Sequence, residues 1–137
     1  MQTWVALLCL LGAVVISFVM PAAAQPARIE GVWSQVETSA GSCPTCRVEV
    51  ARKGGSLIVT ANNGWSASVT LDAAAKPVQA TGTGSWASDK RGWVAGRPFD
   101  VVFRLIDQRL HMSMQVTMAD GAGRRIEAVF ERFWLGA

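Results

Sequence analysis

The chain has 137 residues, half of them hydrophobic, and carries 13 Lys and Arg against 10 Asp and Glu for a formal net charge of +3. A chain of this length holds one hydrophobic core and not two. Its basic residues come as scattered pairs, Arg52 with Lys53, Lys90 with Arg91 and Arg124 with Arg125, which speaks against the contiguous basic surface that nucleic-acid binding requires.

The first twenty residues, MQTWVALLCLLGAVVISFVM, contain no charged side chain and break at Pro21 into AAAQ. Ala22 and Ala24 fill the small-residue positions of an Ala-x-Ala cleavage site, so residues 1–24 are read as a secretory signal peptide and residues 25–137 as a single all-β domain. The missing Lys or Arg near the start leaves an uncleaved anchor as the alternative. Cys9 lies inside the apolar run behind Leu8, which does not fit a lipoprotein signal. No later stretch approaches the ~20 apolar residues of a bilayer-spanning helix, and the expected product is periplasmic or secreted, with no stable membrane span after cleavage.

From there the chain is a series of short alternating runs. EGVWSQVE sets Val32, Ser34 and Val36 against Trp33, Gln35 and Glu37. CRVEVAR puts Val48 and Val50 on one face, KGG turns, and SLIVTA runs back. ANNG is a hairpin signal because Asn63 and Gly64 tolerate positive φ, and GWSASVTL then lines up Trp65, Ala67, Val69 and Leu71. DAAAKP reads as a loop, since Pro77 limits any helix to about one turn. In VQATGTGSWA, Gly82 and Gly84 suggest a bulge, a bend or a close backbone approach, and SDKRGWVAGRP is a loop. PFDVVFRLI aligns Phe99, Val101, Phe103 and Leu105. After a turn at Asp107 and Gln108, RLHMSMQVTM aligns Leu110, Met112, Met114, Val116 and Met118 opposite His111, Ser113, Gln115 and Thr117. RRIEAVFERFW closes the pattern with Ile126, Ala128 and Phe130 on one face.

About eight strands joined by short turns, without a sustained helical period, predict an antiparallel up-and-down β-barrel, with a β-sandwich as the alternative. Closure would remove the exposed edges of the first and last strands.

The opening IEGVWSQ, with Gly31 and Trp33, resembles the Gly-x-Trp start of the lipocalin and avidin-type (calycin-like) barrels. The resemblance implies a barrel whose floor is closed by Trp33 under a basic residue from the end of the barrel, for which Arg132 is the counterpart. It is confined to this first strand and the strand rhythm. The chain is shorter than an ordinary lipocalin, shows no match to the family's middle, late or C-terminal helical motifs, and offers no residue-by-residue match to avidin's biotin contacts.

Two features bear on function. Cys43 and Cys46 stand in a CxxC spacing, but the residues after them alternate as a strand and do not open the helix that lowers a redox thiol's pKa. In an exported chain the leading expectation is a structural disulfide bracing a small loop, with an exposed redox couple or a metal site as alternatives. For metal the chain offers only these thiols and His111, a residue expected on an outer face. The second feature is the wealth of large soft side chains. Trp33, Trp65, Trp86, Trp93, Phe103, Met112 and Met114 are the candidate ligand-binding residues, since such groups fill a core or line an apolar pocket. Trp86 and Trp93 flank a loop and suit a pocket lip or a partner contact. No nucleophile elbow, phosphate loop or dinucleotide fingerprint occurs, no cofactor is called for, and Glu127 and Glu131 lie about 13 Å apart along a strand, too far for a paired-carboxylate site. The expected protein binds rather than catalyses. Its partner is a small apolar molecule or another exported protein, the latter if the core is solid.

Overall fold

The computed structural model describes residues 16–20 and 28–134. Most of the expected leader, including its cleavage site, lies outside the described residues. Among those described, no helix is long and apolar enough to cross a membrane.

Eight antiparallel strands close into a barrel in chain order, β1 (Gly31–Thr38), β2 (Arg47–Lys53), β3 (Ser56–Ala61), β4 (Trp65–Asp72), β5 (Gln79–Trp86), β6 (Pro98–Ile106), β7 (Arg109–Thr117) and β8 (Gly123–Arg132), with β8 paired back onto β1. The two-sheet sandwich is not formed. Closure follows from the sequence pattern: each strand has one apolar face, and curling the sheet on itself buries all of these faces in a single interior. Trp65, Ala67 and Val69 of β4, Phe99, Val101 and Phe103 of β6, and Leu110, Met112, Met114 and Val116 of β7 all point inward, and among the described residues the buried set contains no polar residue.

Two local features shape the barrel. A β-bulge between Gln35 and Glu37 shifts the β1–β8 register. It breaks the alternation expected over EGVWSQVE, so that Glu37 turns outward instead of following Trp33 and Gln35. The second feature is the close approach of β4 and β5. Gly82 and Gly84 face inward where a Cβ would strike the carbonyl oxygens of Ser68 and Ser66, and at Gly84 also Phe99 Cζ at 2.6 Å. Only glycine leaves room for the strands to bend so tightly there.

One end of the barrel is shut by Trp33, which is fully buried. Its indole Nε1 donates to the Ile29 carbonyl at 2.9 Å, and the Arg132 guanidinium lies 4.3 Å above its ring. Arg132 also donates to the carbonyls of Glu30, at 2.7 Å, and Arg28. Gly31, at φ +128°, leaves space for that guanidinium, whose Nη1 would lie 2.8 Å from a Cβ there. The loops after β1, β3, β5 and β7 gather at the other end, the mouth.

Candidate functional site

The mouth is built by two loops, after β1 and β5, and the β3–β4 hairpin, above side chains of β1, β4, β5, β7 and β8. Cys43 and Cys46 form a disulfide in a tight turn closed by the Cys46 N–H donating to the Cys43 carbonyl at 3.1 Å. Cys46 is only 4 % exposed and is followed directly by β2, so the cysteines sit at a strand's start and not at a helix N-terminus. Asn62 clamps this turn to the β3–β4 hairpin. Its Oδ1 accepts from the Arg47 N–H at 2.8 Å and its Nδ2 donates to the Thr45 carbonyl at 2.8 Å. Across the mouth, the loop after β5 folds back on the same hairpin, with the Ala87 N–H donating to the Gly64 carbonyl at 2.8 Å.

Between these two walls opens a cavity of about 310 Å³, lined from below by Trp65, Met112, Met114 and Ile126, from one side by Trp86, Trp93 and Val94, and from the other by Gln35, Thr38 and the disulfide loop. Two more open clefts of about 520 and 560 Å³ lie against the outer wall, one along β6, β7, β8 and the end of β1, the other between β1 and Pro44. The mouth cavity is lined by Trp65, Met114 and Ile126 of the interior apolar face, none of which lines either outer cleft.

The structure therefore brings Trp65, Trp86, Trp93, Met112 and Met114 to one cavity and leaves Trp33 and Phe103 away from it. Trp33 belongs to the opposite end. Phe103 lies behind Trp65, nearly parallel to it with ring centres 6.5 Å apart. Trp65 is the centre of the aromatic packing: Phe99 meets it edge-on at 5.6 Å and Trp86 lies tilted at 6.4 Å. This packing fixes the cavity floor in one arrangement, because aromatic pairs at such distances hold preferred geometries. Trp93 is held at the rim by Arg124, whose guanidinium lies 4.1 Å from its ring centre.

No family model matches this chain, and no curated protein or solved structure does either. The site has to be read from its own chemistry. Among the described residues no cluster of three or more His, Cys, Asp and Glu could hold a metal ion, and His111 lies on the outer wall beside Arg104 and Glu127. What the mouth presents is an apolar, aromatic, sulfur-rich surface with polar atoms at its edge. Asn62, read from the sequence only as part of a hairpin, is the residue that sequence reasoning missed, because nothing local signals that an amide will bridge two loops.

Proposed function

We propose that this chain is an exported binding protein that takes a small, largely apolar ligand into the mouth of its barrel. The observation carrying this reading is the cavity between Trp65, Trp86, Trp93, Met112 and Met114. Its volume lies at the lower end of the ~300–1,000 Å³ typical of small-molecule sites, and thioether and indole side chains adapt to apolar ligands of varied shape. The leader-like first 24 residues support export, as does the Cys43–Cys46 disulfide, a bond that persists in oxidising compartments. The pairing of Arg132 with Trp33 behind Gly31 supports kinship with the lipocalin and avidin-type barrels, whose interiors hold ligands.

The test is native mass spectrometry of the protein isolated from its own exported fraction, before and after denaturation. The expected result is a small-molecule mass that leaves on unfolding. Its absence, together with no shift in Tm across a panel of small apolar compounds, would remove this reading in favour of a partner protein docking on the mouth loops.

A further inference from the structure

Among the described residues, no charged side chain lines the mouth cavity. The polar side chains of the lining are Gln35 and Thr38 of β1, Ser42 of the disulfide loop and Asn63 of the β3–β4 hairpin. Both β1 residues face inward. Gln35 lies opposite Phe130 and Thr38 opposite Ala128 in the β1–β8 register, residues facing each other across an antiparallel pair share one side of the sheet, and Phe130 and Ala128 are buried in the core. The Thr38 hydroxyl is already engaged, accepting from the Ala40 N–H at 3.1 Å. The Gln35 carboxamide, which has donors and an acceptor to offer, makes no hydrogen bond among the described residues. Its polar atoms are not sealed in the core either, since the buried side-chain atoms without a partner belong to other residues. The backbone beneath it is fixed, with the Gln35 N–H donating to the Cys46 carbonyl at 2.9 Å.

An inward carboxamide on an otherwise apolar wall gains nothing from the packing around it, and drying the cavity costs it its water unless the ligand supplies a partner. The charge of that partner follows from the lining. A charged group brought into this cavity would lose its hydration with no counter-charge to replace it. Arg124 meets the ring of Trp93 but does not line the cavity. An uncharged hydroxyl or amide loses far less, and Gln35 can both donate to it and accept from it. We infer that the ligand of the mouth is an uncharged amphiphile: its apolar body rests on Trp65, Met112 and Met114, and one neutral hydroxyl or amide group pairs with the Gln35 carboxamide. Gln35 is then the residue that sets specificity, because the thioether and indole contacts accept varied apolar shapes while a hydrogen-bonding group discriminates between them.

This inference rests on the cavity being a ligand site, and the experiment separates the two. 1-Octanol, 1-chlorooctane and ionised octanoate are titrated calorimetrically into the intact wild-type protein, into Gln35→Met, which keeps the side-chain length and removes the amide, and into Gln35→Leu. Octanol and chlorooctane share an apolar chain, so a change in their affinity ratio between proteins isolates the pairing of the hydroxyl with Gln35. The expected result is that the ratio of octanol to chlorooctane affinity falls roughly five-fold from wild type to either variant, the worth of one neutral hydrogen bond. Octanoate is expected to bind the wild-type protein at least roughly ten-fold more weakly than octanol, because its charge finds no partner in the cavity. An unchanged ratio overturns the pairing with Gln35 and leaves the apolar site standing. Octanoate binding as tightly as octanol overturns the uncharged ligand. Binding of neither octanol nor chlorooctane by the wild-type protein overturns both the inference and the site. Should one variant fail to fold, the other still gives the ratio.

Discussion

The Arg132 guanidinium lies 4.3 Å from the ring centre of Trp33 and joins the last strand of the barrel to the first. The cation–π contact and two hydrogen bonds to the carbonyls before β1 converge on one side chain. Arg132→Met, which keeps the apolar stem and removes the charge, is expected to lower unfolding stability by about 2–3 kcal/mol, the sum of a partly desolvated cation–π pair and a lost charged hydrogen bond. Arg132→Lys should recover less than half, because a point charge cannot reach both carbonyls and cover the ring. Urea denaturation of the three proteins checks the order.

Gly82→Ala and Gly84→Ala are expected to destabilise by about 3 kcal/mol or more, above the ordinary cost of overpacking, because each new methyl meets backbone that cannot rotate away. Gly55→Ala is the control. Its Cβ would meet nothing within 4 Å and its φ lies outside the left-handed region, so the midpoint of unfolding should stay or rise slightly.

The strands that announce themselves most clearly, β4, β6 and β7, bury one unbroken face, and alternation of period two is then visible in the residues alone. Strand β1 hides its bulge because EGVWSQVE alternates without interruption, while the shift at Gln35 and Glu37 is set by pairing with β8, nearly a hundred residues away. The same contrast runs through the site. Trp86 and Trp93 are legible as a rim because they flank a loop rich in turn formers, although both also pack against the barrel core. That Trp33 and Phe103 stand apart from the cavity depends on how distant strands meet.

Breaking the disulfide is expected to loosen the mouth more than the barrel. The loop it closes is so short that the chain-entropy contribution is about 2 kcal/mol, and the core packs independently of it. Reductant, or Cys43→Ser with Cys46→Ser, should lower Tm by several degrees without abolishing folding. Hydrogen exchange should accelerate at Arg47 and Asn62, whose amides close the clamp. Asn62→Ala should reproduce that local loosening with the disulfide intact.

Glu30 supplies a pH dependence of known sign. A backbone hydrogen bond and the Arg52 side chain, 2.9 Å away, hold its carboxyl below the usual carboxylate range. Because the folded value is depressed, its stabilising contribution is present above the unfolded pKa of about 4.3 and disappears as pH falls through the folded value. Glu30→Gln should therefore be less stable than wild type at pH 7 and equal to it at pH 2. The difference should be small and shrink in high salt, as the pair is solvent-exposed. Thermal unfolding of both proteins across this range checks the sign.

The β6–β7 hairpin turns on Asp107 and Gln108, both left-handed at φ 50° and 63°. Paired positive φ values in a two-residue connection are those of a type I′ turn, whose twist matches that of the flanking strands. Asp tolerates this conformation; Gln, with a longer side chain and no local hydrogen bond to offset the strain, does so poorly. The turn is held by its strands, from Ile106 opposite Arg109 to Phe99 opposite Val116, and not by its own residues. Gln108→Gly is expected to stabilise the barrel by about 0.5–1 kcal/mol, since relief of the left-handed strain exceeds the added freedom of the unfolded chain. Asp107→Asn with Gln108→Gly should gain somewhat more, as Asn-Gly is the preferred pair for this turn. A rise in denaturation midpoint with an unchanged urea m-value would locate the gain in the native turn. A fall would mean that the Gln108 side chain makes a contact outweighing its backbone strain.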